Sequence, residues 1–194
     1  LSRNRQAAAE QLASAVEAEI QRLGMPGGRF SVQLKPAAEG EYTPYGLEQV
    51  EFLVSANPGQ PLRPLAKVAS GGELSRISLA IQVITAQTSR VPTLVFDEVD
   101  VGIGGPTAEI VGQLLRRLGE RGQVLTVTHL PQVAAQGHHH LFVHKARGTD
   151  ETRTAVTELD QAGRVEEIAR MLGGVDLTEQ SLAHARQMVT SAQA

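Results

Sequence analysis

The chain has 194 residues, 41% apolar and 20% charged, which is enough for a substantial core and ordinary for a globular protein. A net charge of −3 and a pI near 6.1 exclude a globally basic nucleic-acid binder. Any DNA contact has to come from a local patch or from other parts of the protein. Zero cysteines exclude disulfides and thiolate metal sites and fit a cytosolic protein; no uninterrupted apolar stretch reaches the roughly 18 residues of a membrane span.

Leu1-Ser2-Arg3-Asn4-Arg5 carries neither an initiator Met nor a signal-like apolar region, so an excised fragment is expected. From about residue 2 to 23, Leu12, Val16, Ile20 and Leu23 recur at helical spacing on an otherwise polar helix. A stripe that narrow suits either the end of a coiled coil or an ordinary surface helix. Gly24-Met25-Pro26-Gly27-Gly28 ends it. Phe30, Val32 and Leu34 alternate with polar residues, and so do Val50, Phe52 and Val54, predicting a small antiparallel strand pair. Residues 57 to 64, with three prolines, read as extended linker.

Ser70-Gly71-Gly72-Glu73 opens a helix whose predicted inner face is Leu74, Ile77, Ile81 and Ile84. Ser70 and Glu73 form a capping-box pattern. The cap leaves Gly71-Gly72 unexplained, since each glycine costs a helix about 0.5–1 kcal/mol relative to Ala. Glycine there lets a group approach the backbone, and a bare helix N-terminus suits a phosphate. A plain cap and a phosphate site both stand at this point.

Thr93-Leu94-Val95-Phe96 reads as a strand buried on both faces that stops on Asp97-Glu98. Two buried carboxylates at the carboxyl end of a strand call for a cation, a water to activate, or both. Asp100 to Gly105 is a glycine-rich loop, followed from about Pro106 by a helix with Ile110, Val111, Leu114, Leu115 and Leu118 inward. Val124 to Thr128 is a second buried strand, ending on His129. Strand, helix, strand of this length predicts parallel neighbours that bring Glu98 and His129 to the same sheet edge. Leu141 to Val143 and Thr152 to Leu159 read as strands joined by a turn through Gly148. Val165, Ile168, Ala169 and Leu172 mark a helix stopping at Gly173-Gly174. Asp176 with Glu179 suggests a capping box for a last helix lined by Leu182, Ala185, Met188 and Val189. His138-His139-His140 with His144 reads as exposed polar residues rather than a metal site.

Taken together, Ser70-Gly71-Gly72-Glu73 resembles the signature motif of ABC-type ATPases, Leu94 to Glu98 their Walker B strand, and Thr128-His129 their switch histidine. Ala69 to Arg76, Phe96 to Ile103, Val127 to Ala134 and Ala169 to Gly174 place the resemblance among the SMC-like proteins of DNA double-strand break repair. It covers essentially the whole chain. It implies an α/β fold, the C-terminal lobe of an ABC/SMC-type P-loop NTPase head. In that lobe, residues 25–194 with mainly parallel central strands follow the end of a coiled coil at residues 1–24.

By the same resemblance the cofactors are ATP and Mg²⁺. Asp97 would hold the metal through water, Glu98 would act as general base, and His129 would sense the γ-phosphate. Ser70, Gly71, Gly72 and Glu73 would bind the ATP of a second head. No G-x-x-x-x-G-K-[ST] loop occurs in the sequence. The implied partners are therefore the N-terminal half of the same head, which carries Walker A, then a second head, and DNA, but no membrane. The fragment alone is expected to be inactive, and the location expected is cytoplasmic, on the nucleoid. The loop from Asp100 departs from the usual D-loop at Gly102 and Gly104-Gly105. Another SMC-like role in chromosome organisation, or a non-catalytic module dimerised by ATP, are the alternatives; the retained Glu98 argues against the second.

Overall fold

The computed structural model describes residues 1–38, 43–68, 70–86, 91–147, 152–173 and 177–193. Of the sequence features above, Ala69, Gly148, Gly174, Asp176 and part of the turn between the first two strands lie outside them. The chain divides into two compact units, Leu1–Ile103 with Leu118–Val127, and Gly104–Arg117 with Thr128–Ala194.

In the first unit, helix α1 (Ser2–Arg22) buries Val16 and Ile20, with Leu23 just after it, all fully. The chain reverses at Gly24, whose φ of 81° is left-handed. Strands β1 (Arg29–Pro36) and β2 (Glu48–Ser55) pair antiparallel. α1 packs on β1, where Phe30 lies opposite Val54, both buried, and the Phe30 ring meets that of Phe52 at 5.6 Å. The Glu17 carboxylate accepts from the Phe30 N–H, fixing where β1 starts relative to the helix. A two-residue strand β3 (Arg63–Pro64) adds to β2 where the sequence suggested only linker. An extended Pro segment satisfies an edge position, because Pro64 has no N–H to leave unpaired there.

Helix α2 (Gly71–Thr85) packs against α1, and β4 (Thr93–Phe96) pairs parallel with β5 (Gln123–Thr126), as the sequence predicted. Two expectations are corrected. Phe96 is buried, but Val95 is 69% exposed, so β4 is covered on one face only. Val95, Leu125 and Val127 leave the other face of this two-stranded sheet open. In α2 the buried residues are Gly72, Arg76, Ile77, Leu79 and Ala80, whereas Leu74 and Ile84 are exposed. The inner face is rotated because positions 72, 76, 79 and 80 also share one helical face, and it is the face that meets the loop after β4.

In the second unit, α3 (Gly105–Gly119, its last two residues belonging to the first unit) buries Ala108, Val111, Leu114 and Leu115. Its Arg116 donates to the Gln136 carbonyl at 2.8 Å, just past the short helix α4 (Pro131–Ala134). Strands β6 (Leu141–Arg147) and β7 (Thr152–Glu158) form an antiparallel hairpin. Helices α5 (Gln161–Gly173) and α6 (Glu179–Gln193) pack through Val165, Ile168 and Ala169 on Ala185 and Val189, with Ala135 beneath. Thr178 and Ser181 cap α6 reciprocally, each hydroxyl accepting the other's N–H at 3.1 and 3.0 Å. The capping box expected at Asp176 and Glu179 involves Asp176, which lies outside the described residues. Among the described residues no helix is long and apolar enough to cross a membrane.

Candidate functional site

The site is built in the first unit from the start of α2 and the turn that follows β4. Ser70 is extended, and its hydroxyl accepts from the Glu73 N–H at 3.3 Å, so the Ser70 half of the predicted capping box is formed. β4 ends at Phe96, and the chain turns at once. Asp97 accepts from the Glu98 N–H at 2.9 Å, and Val101 N donates back to the Glu98 carbonyl at 3.2 Å. Glu98 has a φ of +57°. A non-glycine residue in that region costs on the order of 1–2 kcal/mol and persists only where its surroundings hold it.

The side chains of Asp97 and Glu98 are exposed, which corrects the expectation of two buried carboxylates. The buried residues of the turn are the next two, Val99 and Asp100. The reversal at Glu98 turns the charges out to water and puts Val99 into the core, so no cation is needed to compensate a desolvated pair.

Two hydrogen bonds from α2 hold this turn, and two of its glycines leave room for it. The Ser75 hydroxyl donates to the Asp97 carbonyl at 2.6 Å, and Arg76 Nη1 donates to the Val101 carbonyl at 2.7 Å. Gly72 lies under the turn, with the Val101 and Glu98 carbonyls 3.1 and 3.2 Å from where its Cβ would be. A Cβ on Gly71 would land on the Glu98 carboxylate. This close approach accounts for the glycine pair that the helix cap alone left unexplained. Arg76 is 5% exposed; burial pushes its guanidinium below the ordinary arginine range, while Glu73 one turn back holds it up. Sequence reasoning missed Ser75 and Arg76 as part of the site. The available signal was the spacing from Gly72 to Arg76 to Leu79 and Ala80, which places an arginine on the face that also carries glycine.

Ser70, Gly71, Gly72 and Glu73 are thus brought to Asp97 and Glu98. The parallel register sends Asp97 and Val127 off the same strand edge, with Val127 N donating to the Phe96 carbonyl at 3.0 Å. Thr128 and His129 follow Val127 in the chain and belong to the second unit. There His129 is exposed, and the Thr128 hydroxyl accepts from Leu130 N at 3.1 Å ahead of α4. In the histidine cluster, His139 Nδ1 lies 3.0 Å from the Glu158 carboxylate across the hairpin. No group of three or more metal-ligating side chains is gathered among the described residues.

The donor set at the turn fits a hydrated Mg²⁺. Asp97 and Glu98 are adjacent, water-facing carboxylates, and Mg²⁺ keeps several waters and takes one or two carboxylates. The N-terminus of α2 beside them offers backbone N–H groups and the positive end of a helix dipole to a phosphate.

No family model matches the chain. Among solved structures it is similar to an SMC ATPase from work on ATP-driven dimerisation and DNA-stimulated activation, at a TM-score of 0.53 and 15% identity, over 91% of this chain and all of that one. The Smc head domain of Pyrococcus yayanosii, solved with a coiled coil and joint, matches at a TM-score of 0.58 and 18% identity, over 84% of this chain and 29% of that one. The fold is that of an SMC-type ATPase head. Among curated proteins the chain is 52% identical over 192 residues to the DNA repair protein RecN of Vibrio cholerae, across 99% of this chain and 34% of that protein. It is 46% identical over 185 residues to RecN of Deinococcus radiodurans, across 95% of this chain and 32% of that protein. By sequence, then, it is similar to RecN proteins from end to end, spanning about a third of the length of those relatives.

Proposed function

We propose that this chain is the C-terminal half of a RecN-like ATPase head, and that the full-length protein binds and hydrolyses ATP while pairing two heads in DNA double-strand break repair and recombination. The observation that carries the reading is the turn at Asp97-Glu98, held directly against the Ser70-Gly71-Gly72 end of α2. Asp97, through water, would hold Mg²⁺, which when bound neutralises charge on the transferring phosphoryl group. Glu98 accepts the hydrogen bond of the attacking water and draws off its proton at a carboxylate oxygen. Ser70, Gly71 and Gly72 donate hydroxyl and backbone N–H groups to the γ-phosphate held by the opposite head, with Glu73 buttressing the cap. His129 contacts the γ-phosphate at its own head.

With no G-x-x-x-x-G-K-[ST] motif in this chain, the phosphate cradle is assigned to the N-terminal half of the head, and the open face at Val95, Leu125 and Val127 suits a layer from that half packed onto it. The RecN relatives favour DNA repair over chromosome organisation; a place in the cytoplasm, on the nucleoid, belongs to the same proposal. Labelled-ATP hydrolysis tests the reading: the full-length protein turns over ATP with Mg²⁺, and this chain alone does not. Turnover by the isolated chain, or none by the full-length protein with Mg²⁺ and DNA, would overturn it.

A further inference from the structure

The feature that this ATPase reading leaves unused is Arg76. It is an arginine 5% exposed, yet among the described residues no carboxylate forms an ion pair with it, and its guanidinium donates to the Val101 carbonyl at 2.7 Å. Its Nε is buried without a partner among the described residues. A buried cation that leaves a donor unsatisfied is a net cost to folding, so an aliphatic side chain would serve stability as well or better. The benefit has to lie in what the guanidinium holds. It holds the far end of the turn that begins at Asp97, while Ser75, its neighbour on α2, holds the near end through the Asp97 carbonyl at 2.6 Å. Between these two anchors stands Glu98 in its left-handed conformation, its carboxylate against Gly71 and its carbonyl above Gly72. The side chain of Arg76 also runs beside Gly72, with Nη1 3.2 Å from the position of the absent Cβ.

We propose that Arg76 is a positioning residue for hydrolysis: bonded to Val101, it locks the turn after β4 to the signature end of α2, so that Glu98 and Ser70-Gly71-Gly72 are set as one rigid piece. The inference rests on the assignment of Glu98 as general base. Its physical content is that a left-handed Glu98 relaxes when the far end of its turn is released, and that relaxation misplaces the carboxylate while Ser75 still holds Asp97 and the helix cap still holds Ser70. It also couples two sites, because the phosphate of the opposite head meets α2 at the end which Arg76 ties to this head's own carboxylates.

The test is made in the full-length protein, with Arg76→Met and Arg76→Lys, alone and combined with Glu98→Gln. Arg76→Met keeps the aliphatic stem and removes the donor. Its kcat for ATP is expected to fall about 10–100-fold with KM within about threefold, as for a catalytic group displaced by about an ångström. Arg76→Lys keeps the charge without the planar fork and is expected to recover part of that loss. In the Glu98→Gln background, adding Arg76→Met is expected to lower the residual kcat by less than about threefold, because two residues acting through one group are not additive. A merely structural arginine would lower the melting temperature and multiply with Glu98→Gln. Full multiplication of the two losses, or wild-type kcat in a folded Arg76→Met protein, overturns the proposal. Should Arg76→Met not fold, Arg76→Lys carries the same two readings. Wild-type turnover in Glu98→Gln alone would instead remove the general-base assignment, and this inference with it.

Discussion

Two buried arginines, one in each unit, show how the same device serves different ends. Arg164, 3% exposed, spreads its guanidinium over the backbone of the segment from α4 to β6. It donates to the carbonyls of Ala135 at 2.7 Å, Ala134 and His138 at 3.4 Å, and Gly137. Arg76 is as deeply buried but reaches one carbonyl, Val101. Among the described residues each leaves its Nε unpartnered, and burial pushes both guanidiniums down. Arg164 ties several carbonyls of one loop to α5, and that is a stability role. Arg76 fixes a single point beside a strained acidic residue, where the rewarded quantity is placement. The number of acceptors, more than the degree of burial, separates the two.

The substitution that strikes the Arg76 side hardest is Glu98→Gln. In the full-length protein, turnover is expected to fall about 10²–10⁴-fold while ATP binding persists and paired heads accumulate. Steady-state hydrolysis and sedimentation with ATP measure both, and wild-type turnover would show that the turn beside Arg76 is not the reacting centre. On the other side, Arg164→Met removes the side-chain donor that ties the loop from α4 to β6 to α5. It should destabilise the protein by about 2–4 kcal/mol in urea unfolding, with little change in kcat for the fraction that stays folded. If the loss appeared in kcat at undiminished stability, the division of roles would be reversed.

Gly71→Ala sharpens the distinction at smaller scale. Alanine in the first turn of α2 should stabilise the helix by about 0.5–1 kcal/mol, yet its Cβ meets the Glu98 carboxylate. That carboxylate is the far end of a flexible side chain, so it moves and the fold survives. The expected outcome is a melting temperature at or above wild type with turnover down by about tenfold, the effect of a modest displacement of the base. A protein that gained stability and kept full turnover would show that glycine at 71 serves no close approach.

The contrast also explains what could be read from the sequence. α3, α5 and α6 were legible because their aliphatic periodicity is resolved by packing within one unit, and β1 with β2 because alternation and register carry the same information. The motifs at Ser70-Glu73 and Asp97-Glu98 were legible because glycine pairs and adjacent carboxylates are costly without a purpose. The burial of Val95 and of the two carboxylates was misjudged because a continuous apolar run is read as covered on both faces, whatever the chain supplies to cover it. The inner face of α2 was misplaced by following Leu74 and Ile84, since counting apolar residues gives no weight to an arginine or a glycine. Arg76 was invisible for the same reason: its partner is a backbone carbonyl, which every residue has.

The smallest expected effect lies next to Arg164 and tests whether its charge is felt. His140 is half-buried, with its Nδ1 lacking a partner among the described residues. Burial first, and the neighbouring Arg164 cation second, hold its pKa below the ordinary 6.5, against a smaller opposing pull from Glu167. In the folded protein the ring therefore resists a proton that the unfolded chain accepts near 6.5. The unfolded state binds more protons in that range, so the stability contributed by neutral His140 is fully present above this pH and is lost as pH falls through it. Urea midpoints taken between about pH 7.5 and 5.5 should drop with acid, and His140→Gln should flatten the slope by a fraction of one proton. Arg164→Met should flatten it too, by removing the cation while leaving the burial. A slope unchanged in both variants would mean that the ring is solvated at this edge of the unit, and that Arg164 acts on the carbonyls around it through hydrogen bonds alone.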